Sequence, residues 1–354
     1  MKLSIKNLIR DNIKTLVPYQ SARRIGGKGN IWLNANESPI ANNFFLKKNI
    51  FNRYPESQPQ DLILRYSKYV NILSKKILVT RGSDEAIELL MKTFCNPGHD
   101  AIMFCPPTYD MYYVNANILG INSIQIPMLK NWQLDIVNIK KHSDKVKLIY
   151  ICSPNNPTGN VIDAVDINQL LQFFYGRALV IIDEAYIEFC IEKNLIAWLD
   201  KYEHLVILRT LSKAFALAGL RCGFVLAHQN IINILSTVIA PYPLPTPVAD
   251  IAHQALTEKN IFLMQSRVSQ LNKNRKWLIK ELKKINFIET IFHTDSNYIL
   301  VRFFNVEKIF YKFWNMGVIL RNQNSKKYLD GCIRISVGTF KECFKVVEIL
   351  KNVK

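Results

Sequence analysis

The chain has 354 residues, 49% of them hydrophobic and 21% charged, enough apolar material for a sizeable core that needs no disulfide or metal staples. Its formal charge of +18 is spread along the whole length without a zinc-finger, recognition-helix or RNP-like motif, which argues against a nucleic-acid binder. Seven cysteines without a C-x-x-C pair, six histidines without metal-ligand spacing, no signal peptide and no apolar run of membrane-spanning length point to a reduced, cytoplasmic, metal-free protein with no membrane partner.

Residues 1–29 read as an N-terminal arm. It ends in Gly26-Gly-Lys-Gly29, which fails as a Walker A loop because Gly29 stands where Ser or Thr is required. From residue 77 short apolar runs alternate with helical patterns. The runs are Ile77–Thr80, Ala101–Cys105, Leu148–Cys152, Ala178–Ile182, Leu205–Leu208 and Gly223–Ala227. Near-continuous apolar runs of this length predict buried strands of a largely parallel sheet with helices on both faces. A Pro-rich break covers 241–250, and 251–283 reads as one long basic amphipathic helix. Strands at 297–302, 317–321 and 332–336, with helices near 306–316 and after 339, suggest a small α+β unit. The expected fold is therefore α/β, with an arm (1–29), a large domain (30–250) and a small C-terminal domain (251–354).

Polar residues of unusual type follow the carboxyl ends of the predicted strands, where open α/β sheets place their ligands. Lys213 is the most telling. The seven residues after it, Ala214 to Leu220, are all apolar or Gly. Desolvation lowers the pKa of an amine and makes it a nucleophile towards carbonyl carbon. Ser212 and Arg221 flank it with a hydroxyl and a guanidinium, which suit a phosphate. A phosphorylated aldehyde that forms a Schiff base with lysine is pyridoxal phosphate (PLP). Asp183 ends an apolar strand, where it faces a protonated pyridine nitrogen or simply caps a helix. Tyr186, three residues on, and Asn156, in the turn Asn155–Gly159, are candidate donors to the ring phenolate oxygen, or else a core tyrosine and a plain turn residue. Ser83 is the expected N-cap of a helix whose free amides would take a phosphate. Tyr109 is a candidate to stack on the ring, and Arg321 and Arg334 adjoin strands of the small unit.

Taken together these segments resemble the fold-type-I PLP-dependent aminotransferases. The opening Tyr19-Gln-Ser-Ala-Arg-Arg24 and Asn34-Ala-Asn-Glu37 narrow the resemblance to the histidinol-phosphate aminotransferase family. The motifs run from Pro18 to Thr339, with Pro245 and Glu56 as small departures. The resemblance implies that Lys213 carries PLP and shuttles a proton between substrate Cα and the cofactor C4′ atom. It implies that Asp183 pairs with the ring nitrogen, that Asn156 and Tyr186 contact the phenolate oxygen, and that Tyr109 stacks on the ring. Ser83, Asp84, Ser212 and Arg221 would surround the phosphate, with Tyr54 reaching it from the other subunit of a homodimer with shared active sites. Arg334, Arg321, Tyr19 and Asn156 would bind the substrate. The implied small-molecule substrates are histidinol phosphate, glutamate and 2-oxoglutarate. Related PLP enzymes that act on aromatic amino acids, or decarboxylate a phosphorylated amino acid, share the same cofactor residues and remain open at this point.

Overall fold

The computed structural model describes residues 8–16, 18–24, 26–46 and 51–353. Of the expected arm, residues 1–7, 17 and 25 lie outside the described residues. The strands of the N-terminal two thirds are β1 (Ile31–Trp32), β2 (Ile77–Thr80), β3 (Ala101–Phe104), β4 (Asn122–Gln125), β5 (Val146–Cys152), β6 (Leu179–Asp183), β7 (Leu205–Thr210) and β8 (Gly223–Ala227). Those that follow are β9 (Ile288–Ile291), β10 (Tyr298–Phe303), β11 (Val318–Ile319), β12 (Arg321–Asn322) and β13 (Cys332–Ser336).

The seven-stranded sheet has the order β2-β8-β7-β6-β5-β3-β4. Only β8 runs against its neighbours. Side chains alternate across a strand, so each apolar run feeds two cores at once. Val79, Met103, Ile149, Ile182, Ile207 and Phe224 face one core, and Leu78, Ile102, Leu148, Ile181, Val206 and Val225 face the other. Helices Gly82–Phe94, Met111–Leu119 and Gln229–Val238 cover the second face. Helices Gln60–Val70, Ala164–Phe174 and Glu258–Leu282 cover the first. Burial on both faces is why the strands read as continuous rather than alternating hydrophobic runs.

The second sheet is antiparallel, in the order β12-β13-β10-β9. Ile299, Val301, Ile333 and Ile335 join the same core as the first face of the large sheet, so the two sheets are packed units with one continuous interior. The short β1 pairs in parallel with β11, which carries the segment after the arm back to the C-terminal sheet and sets residues 33–37 between the two sheets.

Three sequence expectations are corrected. The helix drawn over 251–283 is two helices, Thr246–Ala255 and Glu258–Leu282. Thr257 interrupts them as an N-cap, its hydroxyl accepting from the Asn260 N–H at 3.4 Å, a break that an unbroken hydrophobic period conceals. The first of these helices also starts inside the Pro-rich stretch, because Pro247 lies in its first turn, where the missing N–H has no intrahelical partner to lose. Finally, β4 and β9 carry no apolar run that would announce them. They are edge strands with residues that are half-buried or exposed.

Candidate active site

The carboxyl ends of β2, β3, β5, β6 and β7 open on a cavity of about 510 Å³ that is closed on its other side by the second sheet and the arm. Lys213 enters it from the loop after β7. That loop is pinned by Leu211 N–H to Cys222 C=O at 3.1 Å and Leu217 N–H to Leu211 C=O at 3.1 Å. Leu211, Ala214 and Phe215 are buried in the core, which fixes the backbone on both sides of the lysine. The Lys213 amine donates to the Ala35 carbonyl at 3.1 Å and lies 5.6 Å from the centre of the Tyr186 ring. Burial, and secondly the positive charge of Arg334, hold its pKa down at about 8.

Asp183 closes β6 at 2% exposure. Its carboxylate accepts the Tyr112 hydroxyl at 2.8 Å and the Ala185 N–H at 3.2 Å, and forms no ion pair among the described residues. Burial pushes this carboxyl up to about 6. A buried carboxylate without a cation is costly, and a protonated ring nitrogen is the partner that would remove the cost. Tyr186 accepts from the Asn36 side chain at 3.1 Å, which leaves its own proton free to donate. In the Asn155–Gly159 turn the two asparagines divide the work. Asn155 ties the loop down, donating to the Pro107 carbonyl at 2.9 Å and to Thr158 at 2.7 Å. Asn156 faces the cavity, and its Oδ1 accepts from Arg334 Nη1 at 2.5 Å, so its amide nitrogen is left to donate.

One corner of the cavity suits a phosphate. Gly223, the first residue of β8, pairs with Thr80 at the end of β2 and with Thr210 at the end of β7. A Cβ there would lie 2.6 Å from the Gly82 carbonyl carbon and 2.7 Å from the Ser83 nitrogen, so only glycine brings the Lys213 loop and the helix Gly82–Phe94 this close. Ser83 is a first-turn residue of that helix rather than its N-cap, a position Arg81 holds without a side-chain bond. This corrects the expected cap, and it makes the Ser83 N–H one of the helix's free donors. Arg221 reaches the same corner, 3.4 Å from the Ser212 hydroxyl and 3.2 Å from the Asp84 carboxylate. Tyr109 donates to Asp84 at 2.8 Å.

At the opposite end, Arg321 and Arg334 are register partners on β12 and β13. Ile333 and Ile335 point into the core while Arg334 lines the cavity, as alternation requires. Arg334 Nη2 donates to the Asn34 carbonyl at 2.7 Å, and Arg321 Nη2 to the Gln20 carbonyl at 2.8 Å. Each guanidinium keeps one buried nitrogen without a partner, Arg334 Nε and Arg321 Nη1. Tyr19 lines the cavity beside them, its hydroxyl pKa raised by burial and then by Asp110.

Every expected site residue but one therefore lines this cavity. Tyr54 does not: its side chain is 81% exposed and stacks on Tyr242 with ring centres 4.4 Å apart. Sequence reading missed Tyr112, Asn36, Asp110 and Lys326. Two of them left a trace: Asn36 lies in the quoted Asn34-Ala-Asn-Glu37 segment, and Tyr112 follows Tyr109 by three residues. A buried carboxylate beside a lysine of lowered pKa, with a phosphate corner across from a pair of arginines, defines the site of a PLP-dependent transferase of fold type I.

Comparison with known proteins agrees. The family model for aminotransferase class I and II matches residues 30–350. The histidinol-phosphate aminotransferase of Buchnera aphidicola subsp. Schizaphis graminum is 56% identical, over 99% of this chain and 99% of its own. That of Serratia proteamaculans is 53% identical over 98% and 96%. Among solved structures, the histidinol-phosphate aminotransferase from Sinorhizobium meliloti in complex with pyridoxal-5'-phosphate shares the fold, with a TM-score of 0.86 at 17% identity, covering 98% of each chain. The chain belongs to the histidinol-phosphate aminotransferase family, and its cofactor is PLP.

Proposed function

We propose that this enzyme transfers the amino group between histidinol phosphate and 2-oxoglutarate, and in the biosynthetic direction from glutamate to imidazole acetol phosphate, in L-histidine formation. The observation that carries the reading is the Arg321–Arg334 pair, two cavity-lining guanidiniums that are register partners and that each keep one buried nitrogen without a partner. One enzyme must accept an α-carboxylate from glutamate and a phosphate ester from histidinol phosphate at the same end, and paired guanidinium donors suit both anions.

PLP, when bound, supplies the aldehyde that takes up the amino group and the electron-poor ring that stabilises charge at the reacting carbon. Lys213 would hold it, and its amine, with a pKa near 8, takes up and returns the proton at substrate Cα. Asp183 keeps the proton on the ring nitrogen. Asn156 and Tyr186 would donate to the ring oxygen, and Tyr109 would lie on the ring face. Ser83, Asp84, Ser212 and Arg221 would hold the phosphate. Tyr54 has no such role in its own subunit, which supports a homodimer in which Tyr54 of the partner subunit completes that corner. The division that goes with this reading is an arm (1–29), a PLP-binding domain (30–250) and a small domain (251–354). All seven cysteines are buried and unpaired, which supports a cytoplasmic setting.

The test is a coupled assay of the holoenzyme with histidinol phosphate and 2-oxoglutarate, in which glutamate is expected to form. Turnover confined to phenylalanine, or to a phosphothreonine-like substrate, would sink the reading.

A further inference from the structure

Charge is balanced around most of this cavity. Arg221 is paired with Asp84 at 3.2 Å, and Arg23 with Glu37 at 3.4 Å. A third pair stands at the arginine end. Lys326 lies in the connection between β12 and β13, and its ammonium donates to the Asp110 carboxylate. The connection is tied down: the Lys326 N–H bonds Gln323 C=O at 2.9 Å, Leu329 N–H bonds Lys326 C=O at 3.0 Å, and Gly331 N–H bonds the Asn324 side chain at 2.8 Å. Asp110 is just as fixed, between Tyr109 and the helix Met111–Leu119, with its carbonyl accepting from Val114 at 3.0 Å. The pair thus bridges the two sheets. Both side chains line the cavity with Tyr19, Arg321 and Arg334, and at 30% and 35% exposure both can interact with what enters.

We propose that Asp110 and Lys326 are specificity-determining residues. As a neutral pair they leave the arginine end with the two positive charges of Arg321 and Arg334, which matches a phosphate dianion better than a carboxylate. This rests on the reading above, in which those arginines hold the substrate anion. A phosphate monoester carries about −1.5 to −2 at neutral pH and a carboxylate one charge. The work of placing a group at this end scales with the charge of that group, so a change in charge here is felt about twice as strongly by the phosphate as by the one carboxylate that 2-oxoglutarate, itself a dianion, brings to the arginines. Removing Lys326 leaves Asp110 repelling the ligand and lowers the site charge by one. Removing Asp110 frees Lys326 and raises it by one. The two losses have opposite signs, although each breaks the same contact.

The experiment measures KM and kcat of the holoenzyme for histidinol phosphate and for 2-oxoglutarate, with inorganic phosphate as a competing probe. The variants are Lys326→Met, Lys326→Arg, Asp110→Asn and the Asp110→Asn/Lys326→Met double. Lys326→Met is expected to raise KM for histidinol phosphate about five- to tenfold, and that for 2-oxoglutarate only about two- to threefold. Asp110→Asn lowers KM for histidinol phosphate and strengthens inhibition by phosphate, while Lys326→Arg and the double variant stay close to wild type. In every case kcat changes little, and the shifts shrink at high salt. A loosened structure does not lower KM while kcat stays unchanged, so Asp110→Asn, read on both constants, decides the matter even if Lys326→Met fails to fold. KM rising in both single variants, or equal shifts for the two substrates, overturns this inference alone. A wild type inactive on histidinol phosphate overturns the substrate reading, and this inference with it.

Discussion

The Tyr112 hydroxyl donates to Asp183 Oδ2 at 2.8 Å, from the first turns of the helix Met111–Leu119 to the last residue of β6. Both residues are fully buried, so the bond aims the carboxylate and offsets part of its desolvation. Tyr112→Phe removes it without changing the shape of the ring. The loss of a hydrogen bond to a charged group, about 1.5–3 kcal/mol, is expected to lower PLP affinity and kcat by roughly ten- to a hundredfold. Titration of the visible cofactor band and steady-state assays check this. Unchanged affinity and rate would show that Asp183 is aimed by its backbone alone.

Asp183 itself carries a linkage consequence. Without cofactor its carboxyl is raised to about 6, against an unfolded value near 4. Between those values the folded state binds more protons than the unfolded, so this group makes the apoprotein lose stability as pH rises from about 4 to 6. Asp183→Asn removes that dependence. The apo variant should be more stable than the apo wild type at pH 7, by up to about 3 kcal/mol, and the advantage should fade below pH 4. The same variant should lose orders of magnitude in turnover, because an amide cannot hold the ring proton. Thermal melts of both apoproteins at matched concentration across that pH range, with assays of the holo forms, read both effects. Near-normal turnover would remove Asp183 from its role.

Gly223 brings three strand ends together. Gly223→Ala sets a methyl against backbone atoms of Gly82 and Ser83, at 2.6 and 2.7 Å, where no side chain can swing aside. The expected cost is about 1–3 kcal/mol of stability. The displaced helix start should also weaken PLP binding more than a comparable overpacking elsewhere in the core would. A melt and a PLP titration on the same preparation separate the two. Wild-type affinity in a destabilised variant would place the phosphate away from Ser83.

Lys213→Ala should abolish turnover, and borohydride should no longer fix cofactor to the protein. Tyr54→Phe is expected to be severely impaired for a different reason, since Tyr54 lies away from its own cavity. Mixing the two inactive proteins should restore activity through hybrid dimers, each holding one site with both residues intact. No recovery, with hybrids shown to form, would count against shared sites.

The parts legible in the sequence were those written in contiguous residues. Lys213 stood out because seven apolar or glycine residues follow it, and Asp183 because it ends an apolar run. Six of the seven strands of the main sheet announced themselves by burial on two faces. The partners of these residues did not, because the bonds that select them close over long distances. Tyr112 is 71 positions from Asp183, Asn36 is 150 from Tyr186, and Lys326 is 216 from Asp110. Edge strand β4 was silent for a different reason: a strand with little buried area needs no hydrophobic pattern.

Arg334 touches both the expected anion end and Asn156. Its guanidinium is held from two sides, by the Asn34 carbonyl at 2.7 Å and Asn156 Oδ1 at 2.5 Å, with Nε buried and unpartnered. Those bonds use both terminal nitrogens, so the arginine also orients Asn156 and leaves its amide nitrogen free to donate, as the proposed contact with the ring oxygen requires. A lysine in its place keeps the charge but offers one point donor instead of a planar fork. It cannot hold Asn34 and Asn156 and still present a donor in the plane of an incoming anion. Arg334→Lys is therefore expected to cost about 1–3 kcal/mol of binding to either anion, the range for a charge-assisted hydrogen bond. Both half-reactions should suffer, with glutamate and with histidinol phosphate, and the visible spectrum of the bound cofactor should change little. Single-turnover measurements with each amine, run separately, make the comparison. Loss confined to one of them would mean that the two anions occupy different positions, and that Arg334 serves only one.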